Sequence, residues 1–159
     1  MRILVMGVAG VGKSTVGAEL ASQLRVRFVD ADVFHSDANR AKMAAGTPLN
    51  DADRAPWLVG VGSILSASSN VVVACSALKR SYRDQLRTSA PDLFTVHLTS
   101  SEELLRERLE TREGHFAGAD LLPSQLETLE LLSAEENGIE ISADEDLDVI
   151  VERITSLVV

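Results

Sequence analysis

The most informative segment of this 159-residue chain is Gly7-Val8-Ala9-Gly10-Val11-Gly12-Lys13-Ser14. It fits the pattern GxxxxGK followed by Ser or Thr, in which glycines let the backbone curl so that successive N–H groups point at bound phosphates. A short, mostly apolar run from Arg2 to Met6 precedes the loop, and Val16, Leu20 and Leu24 recur with helical spacing behind it. This order of strand, loop and helix predicts a phosphate-binding P-loop at the positive end of a helix.

The polar residues of the loop have predicted roles. Lys13 supplies a positive charge for the outer phosphates of a nucleotide, and the Ser14 hydroxyl is a candidate ligand of Mg²⁺. The loop residues predicted to bind nucleotide are Gly7, Gly10, Gly12, Lys13, Ser14 and Thr15. P-loops serve GTPases, motors, regulators and kinases alike, so the loop alone leaves the reaction open. The sequence contains no NKxD guanine signature and no DxxG spacing, which argues against a GTPase.

Short apolar runs alternate with stretches of helical period along the rest of the chain. The predicted strands are Arg2 to Met6, Arg27 to Asp30, Asn70 to Cys75, Phe94 to Leu98 and Ile139 to Ser142. Such alternation is typical of a parallel sheet covered by helices on both faces. We therefore expect an α/β protein with a three-layer P-loop NTPase fold, a parallel five-stranded sheet and a single domain over residues 1–159.

A lid is predicted in the second half of the chain. A capping box opens a helix through about Arg112, Gly114 to Gly118 break the helical period, and Pro123 marks a further helix start. The lid is placed at about residues 112–125. Arg108 and Arg112 share one helix face because they lie four residues apart. We assign Arg112 to the transferring phosphate and Arg108 to the nucleotide, with pairing to neighbouring glutamates as the alternative.

Composition excludes several classes of partner. The formal net charge of −9 predicts no nucleic-acid partner and no binding to acidic membranes. No apolar run approaches the ~20 residues of a membrane span, and the amino terminus has no cleavable signal pattern. The single cysteine, Cys75, lies in an apolar run and is predicted to be a buried structural thiol. We therefore expect a cytoplasmic protein.

Two carboxylates stand at alternate positions where the second predicted strand ends. Asp30 and Asp32 face the same side of an extended chain, and ligands of open parallel sheets bind at this end of the strands. One carboxylate could approach a metal and its waters while the other meets an acceptor hydroxyl. The alternative is that these acids only cap the next helix.

A long block after the second strand carries a more selective pattern. Its residues are Asp30-Ala31-Asp32, His35, Asn39, Lys42-Met43, Gly46, Pro48-Leu49, Asp51, Asp53-Arg54 and Pro56-Trp57-Leu58, followed by Cys75-Ser76-Ala77-Leu78-Lys79, Tyr82-Arg83-Asp84, Gly114-His115-Phe116, Leu121-Leu122 and Ser124-Gln125. Together they resemble the gluconokinase family, from the first strand to about Glu130. Ser36, Glu113 and Leu131 depart from the family pattern, which affects expectations of local loop geometry and lid charge.

The resemblance implies a nucleoside-monophosphate-kinase-like fold, ATP with Mg²⁺, D-gluconate as acceptor, 6-phosphogluconate as product and a homodimer. Asp32 is then the candidate that orients the 6-hydroxyl and accepts its proton late, and Asp30 belongs to the Mg²⁺ hydration shell. These two roles could be exchanged. The alternatives are a shikimate-kinase-like enzyme acting on another small acid or polyol, and a non-catalytic ATP-binding regulatory protein.

Basic residues within the matched block are candidates for binding the acid. His35, Arg54, Lys79 and Arg83 are predicted to contact the acceptor together with Asp32, because its carboxylate and hydroxyls need donors and arginine offers a bidentate fork. For each arginine and lysine a solvated helix face is the alternative, and for His35 a structural hydrogen bond. Trp57 is expected to pack the acceptor segment, about residues 33–60. No adenine contacts are predicted.

Overall fold

The computed structural model describes residues 1–111 and 119–159 and contains one parallel five-stranded sheet. Its strands are β1 (Arg2–Met6), β2 (Arg27–Asp30), β3 (Val71–Ala74), β4 (Phe94–Thr99) and β5 (Gly138–Ser142). They lie in the order β2-β3-β1-β4-β5. All five predicted strands are confirmed, and each observed boundary lies within one residue of the predicted one.

Helices connect the strands. They are α1 (Lys13–Leu24), α2 (Asp37–Ala44), α3 (Asp51–Ala67), α4 (Arg80–Ser89), α5 (Glu102–Thr111), α6 (Leu122–Thr128) and α7 (Leu147–Val158), with short 3-10 turns at Ala31–Phe34 and Ala119–Leu121. The predicted capping of α5 is partly observed, because the Leu104 amide donates to the Ser101 hydroxyl at 3.3 Å. In the described parts of the chain, no helix combines the length and apolar character that a bilayer crossing needs.

The sheet separates two apolar clusters, because alternate residues of a strand face opposite sides. In β1, Ile3 and Val5 pack with residues of α1 and α7, whereas Leu4 and Met6 pack with residues of α3 and α4. Cys75 belongs to the second cluster and is fully buried, as predicted. The helix layers on both faces confirm the three-layer α/β fold.

The register of the strands brings the loops after β1, β2 and β3 together. Ala74 of β3 pairs with both Val5 of β1 and Asp30 of β2. The carboxyl ends of these three parallel strands therefore lie side by side. One edge of the sheet thus carries the P-loop after β1, the segment with Asp30 and Asp32 at the end of β2, and the turn after β3. Open α/β sheets bind ligands at this edge.

Candidate active site

The P-loop curls as its sequence requires. Gly12 caps α1 with φ of 103°, in the left-handed region that favours glycine. Gly7 has no room for a side chain, because a Cβ there would lie 2.8 Å from the Leu98 carbonyl oxygen. Gly10 and Gly12 line the cavity described below, whereas Gly7 is not part of its wall and forms the tight turn that leaves β1.

The first turn of α1 presents polar groups to the same cavity. Lys13, Ser14 and Thr15 all line it. Lys13 is only 8% exposed, and its ammonium donates to the Val8 carbonyl at 3.1 Å, so the side chain lies against the loop that it follows. A positive charge, curled amides and a helix amino terminus are therefore combined in one place, an arrangement suited to phosphate.

Asp30 links the end of β2 to α1. Its Oδ2 accepts a hydrogen bond from the Ser14 hydroxyl at 2.5 Å, and its Oδ1 accepts one from the Asp32 amide at 3.0 Å. Asp30 thus also caps the 3-10 turn, as the alternative for these acids supposed. Hydroxyl and carboxylate oxygens are hard ligands of the kind that Mg²⁺ prefers, so this pair fits a magnesium ion. Asp32, but not Asp30, lines the cavity.

A cavity of about 460 Å³ joins the P-loop to two further walls. One wall, here called the acceptor wall, consists of Asp32, His35, Pro48, Leu49, Arg54 and Trp57. The other, here called the C-terminal wall, consists of Arg108, Ala143, Glu145, Leu147 and Ile150. The volume is in the range of small-molecule sites, which have mostly apolar linings with a few polar groups.

His35 is held as a neutral ring in the acceptor wall. It stacks on Trp57 with ring centroids 4.2 Å apart, and Trp57 is fixed by donating to the Ala31 carbonyl at 2.7 Å. Burial lowers the pKa of His35. Asn39 Nδ2 lies 3.3 Å from His35 Nδ1 and also donates to the Asp53 carbonyl, so it is a nitrogen donor and Nδ1 must accept. The ring proton therefore lies on Nε2.

Arg54 is the cation of the acceptor wall. Its NH1 donates to the Tyr82 hydroxyl at 3.2 Å, and its guanidinium carbon lies 5.5 Å from the centroid of the Tyr82 ring. Lys79, by contrast, is outside the cavity wall and pairs with Asp51 at 3.2 Å. The prediction that Lys79 contacts the acceptor therefore needs correction, since the structure does not bring it to the cavity.

The prediction that Arg83 binds the acceptor is wrong. Its side chain has no exposed surface, and its Nε and NH2 donate to Glu136 at 2.7 and 2.9 Å. The NH1 group donates to the Ala77 and Leu78 carbonyls. Burial alone would raise the pKa of Glu136, but the hydrogen bonds from Arg83 and the Ser133 amide outweigh it and lower the pKa to about 2. Arg83 is a structural residue that joins α4 to the segment before β5.

The two arginines predicted near the lid differ in what the structure shows. Arg108 lines the C-terminal wall and lies 3.7 Å from Asp144, in the turn after β5. Arg112 lies outside the described residues, as do Gly114, His115 and Phe116 of the predicted lid.

Sequence reasoning missed several lining residues. Gln125 of α6 accepts a hydrogen bond from the Ala9 amide of the P-loop at 2.7 Å, and it lines the cavity with Ser124. Both belong to the matched block but had no predicted role. Leu147 and Ile150 lie in the apolar stripe of α7, a pattern typical of core residues, yet the first turn of this helix also reaches the cavity. These residues follow β5 at the carboxyl edge of the sheet, where ligands bind, and this position could have indicated that they line the site.

Comparison with known proteins places this site in a family. A family model described as an AAA domain matches residues 3–132. A gluconokinase from Gluconobacter oxydans (strain 621H) is 46% identical over 156 residues, which span 96% of this chain and 88% of that protein. The chain belongs to the gluconokinase family. The predicted resemblance is thereby confirmed, and the protein is a P-loop kinase that uses ATP.

Solved structures agree with membership of the gluconokinase family. The crystal structure of a gluconokinase from Sinorhizobium meliloti 1021 is 46% identical, with a TM-score of 0.89 and coverage of 98% of this chain and 89% of that one. Shikimate kinase from Aquifex aeolicus has a TM-score of 0.71 but only 18% identity, over 98% of this chain and 95% of that one. The second likeness shows the shared fold alone.

Proposed function

We propose that this protein transfers the terminal phosphate of ATP to the 6-hydroxyl of D-gluconate and releases 6-phospho-D-gluconate and ADP. The observation that carries the proposal is one continuous cavity with Lys13 and Ser14 on one side and Asp32 and Arg54 on the other. Such a cavity can hold a nucleotide phosphate and an acidic acceptor together. Membership of the gluconokinase family supports gluconate as that acceptor.

The nucleotide binds between the P-loop and the C-terminal wall. The loop amides and Lys13 hold the β- and γ-phosphates, and Thr15 follows in the same turn of α1. The adenosine then lies toward Arg108, Ala143 and Leu147, which supply apolar surface and one planar cation. Arg112 remains the proposed contact to the transferring phosphate.

Ser14 and Asp30 are the residues that would hold Mg²⁺. Their oxygens lie 2.5 Å apart beside the P-loop, and the rigid turn after β2 fixes Asp30 through its bond to the Asp32 amide. When bound, the ion neutralises charge on the β- and γ-phosphates. This division of labour supports Asp30 for the metal and Asp32 for the acceptor, rather than the exchanged roles.

Asp32 orients the acceptor hydroxyl toward the γ-phosphate and receives its proton late in the transfer. Phosphoryl transfer has a loose transition state, so positioning and charge stabilisation contribute more than early proton removal. The neutral His35 donates from Nε2 to a sugar hydroxyl, and Arg54 binds the carboxylate of the acid. Trp57 supplies the flat apolar surface of the acceptor wall.

Further proposals rest on the sequence pattern and the family resemblance. They are a single catalytic domain over residues 1–159 with its acceptor segment at about 33–60, closure of a lid at about 112–125, a homodimer, and a cytoplasmic location. Lid closure excludes water, which would otherwise compete with the acceptor for the γ-phosphate.

The decisive experiment measures ADP release with ATP and Mg²⁺ in the presence of gluconate, glucose, glucitol or shikimate, and with no acceptor. We expect stimulation by gluconate and a phosphate ester at its 6-position, identified by phosphorus NMR. Equal ADP release without an acceptor would indicate an ATPase, and stimulation by shikimate instead of gluconate would overturn the assignment of the acceptor.

A further inference from the structure

Arg54 is supported by an uncharged group. In the described ranges, residues 1–111 and 119–159, no carboxylate lies within ion-pair distance of its guanidinium, and its hydrogen-bond acceptor is the hydroxyl of Tyr82. The neighbouring carboxylate of Asp53 is occupied by Lys42 at 2.8 Å. An arginine that no carboxylate binds directly keeps N–H donors available for an anionic ligand.

Tyr82 connects Arg54 to a second pair of charges. The Tyr82 side chain is almost fully buried on α4, and its hydroxyl donates to Oδ1 of Asp51, in the first turn of α3. The same oxygen accepts a hydrogen bond from the Lys79 ammonium at 3.2 Å. Lys79, Asp51, Tyr82 and Arg54 therefore form one continuous chain of hydrogen bonds that ends at the acceptor wall.

The direction of each hydrogen bond in this chain is fixed. Hydrogen bonds from Tyr82 and Lys79 lower the pKa of Asp51, so it is a carboxylate at neutral pH and can only accept. Burial and the bond to Asp51 raise the pKa of Tyr82, so its hydroxyl keeps its proton. The Tyr82 hydroxyl donates its hydrogen bond to Asp51, and a lone pair on the same hydroxyl oxygen accepts the hydrogen bond from Arg54. Arginine has only donors, so the arrangement is unique.

We propose that Tyr82 is a positioning residue that orients Arg54 toward the carboxylate of the acceptor, with Asp51 and Lys79 fixing the Tyr82 hydroxyl. The inference rests on the proposed function, because it assumes an anionic acceptor at Arg54. A phenol polarised by a carboxylate is a stronger acceptor than a free phenol, yet it carries no full charge. It can hold the guanidinium in place without competing with the substrate for its charge.

The test is a set of three variants, Tyr82→Phe, Arg54→Ala and the double variant, with steady-state kinetics in gluconate and in ATP. Tyr82→Phe keeps the ring beneath Arg54 and removes only the hydroxyl. We expect the KM for gluconate to rise about tenfold, the loss typical of a hydrogen bond to a charged group, with kcat and the KM for ATP changed less than about twofold. In the Arg54→Ala background, Tyr82→Phe should add nothing.

Thr95→Val is a matched control, because it also removes one hydroxyl from a buried side chain. Thr95 Oγ1 has no hydrogen-bond partner among the residues that the structure describes, and we expect unchanged KM values. If Tyr82→Phe unfolds at a much lower temperature than Thr95→Val, the kinetic test uses Asp51→Asn instead of Tyr82→Phe. We expect Asp51→Asn to raise the KM for gluconate by a smaller factor. In the Arg54→Ala background, Asp51→Asn should have no further effect on this KM.

The outcomes separate the two proposals. No gluconate-dependent turnover by the unmodified protein would overturn the proposed function. Normal turnover with an unchanged KM in Tyr82→Phe, or an equal further loss in the double variant, would overturn the positioning role alone.

Discussion

The hydroxyl of Ser14 donates to the carboxylate of Asp30 at 2.5 Å and so joins the first turn of α1 to the end of β2. If this pair binds magnesium, Asp30→Asn should raise the Mg²⁺ concentration for half-maximal rate and lower kcat by about tenfold or more, because one anionic oxygen is lost. Asparagine keeps the oxygen that accepts from the Asp32 amide, so the turn should persist. The measurement is initial rate against free Mg²⁺.

Asp37→Asn is the control for that experiment, since Asp37 is a fully exposed acid at the start of α2. It should leave the Mg²⁺ dependence unchanged. An Asp30→Asn curve that superimposes on the wild-type curve would remove Asp30 from the metal site.

Lys13→Ala should lower kcat by at least about 10²-fold, the loss typical of removing one group that stabilises developing charge. The fold should survive, because the side chain lies at the loop surface of the cavity and not within either apolar cluster. Turnover and circular dichroism check this together. Arg106→Ala, which removes an exposed arginine paired with Glu102, should retain full activity; comparable losses in both variants would contradict a specific role for Lys13.

Asp32→Asn should lower kcat by about 10²–10⁴-fold, the usual contribution of a positioned general base, while ATP affinity measured by calorimetry stays within about twofold. The two effects separate because Asp32 belongs to the acceptor wall, whereas Asp30 contacts the Ser14 hydroxyl beside the P-loop. A normal rate in Asp32→Asn would mean that another group orients the acceptor hydroxyl.

Arg83→Ala should destabilise the protein by about 3–5 kcal/mol, because it leaves the buried Glu136 carboxylate without its principal partner. Urea denaturation measures the free energy of unfolding. Arg80→Ala, on the same helix, is the matched control: its ion pair with Glu135 is exposed, so a change below about 1 kcal/mol is expected. Similar losses in the two variants would argue against a special role for the buried pair.

The same ion pair predicts a pH dependence of stability. The pKa of Glu136 is about 2 in the folded protein against 4.5 for an unperturbed group, so the folded state favours the ionised form. Its contribution is complete above about pH 4.5 and is lost as the pH falls toward about 2. The stability difference between the wild type and Glu136→Gln should therefore shrink across this interval. A constant difference would show that ionisation of Glu136 is not linked to folding.

The sheet was predictable because each strand is a local signal. All five strands appear as short apolar runs, and the P-loop fixes the first strand and helix. Helix α3 was not predicted, because Pro56 and Gly60 lie inside it and both disfavour helix. It forms because Asn50 and Asp53 make a reciprocal capping box and because Trp57, among others, is buried against the sheet. Tertiary packing outweighs local propensity there.

The site was partly predictable. Asp32 and His35 directly follow strand β2, and Arg54 is a basic residue of the matched block; all three line the cavity. Arg54 and Arg83 are both basic residues of the matched block, so the sequence predicts the same role for each. Their positions in the structure differ because Glu136, distant in the chain, lies beside Arg83 and binds it. No local pattern reveals such a partner.

The hydrogen bond between the Ala9 amide and Gln125 has an energetic consequence for the P-loop. It immobilises one peptide of the loop before any ligand arrives, so the conformational entropy of that peptide is lost during folding and not during binding. Preorganisation of this kind strengthens association without adding a contact. Gln125 on α6, remote in sequence, thereby contributes to the affinity of the P-loop for its ligand.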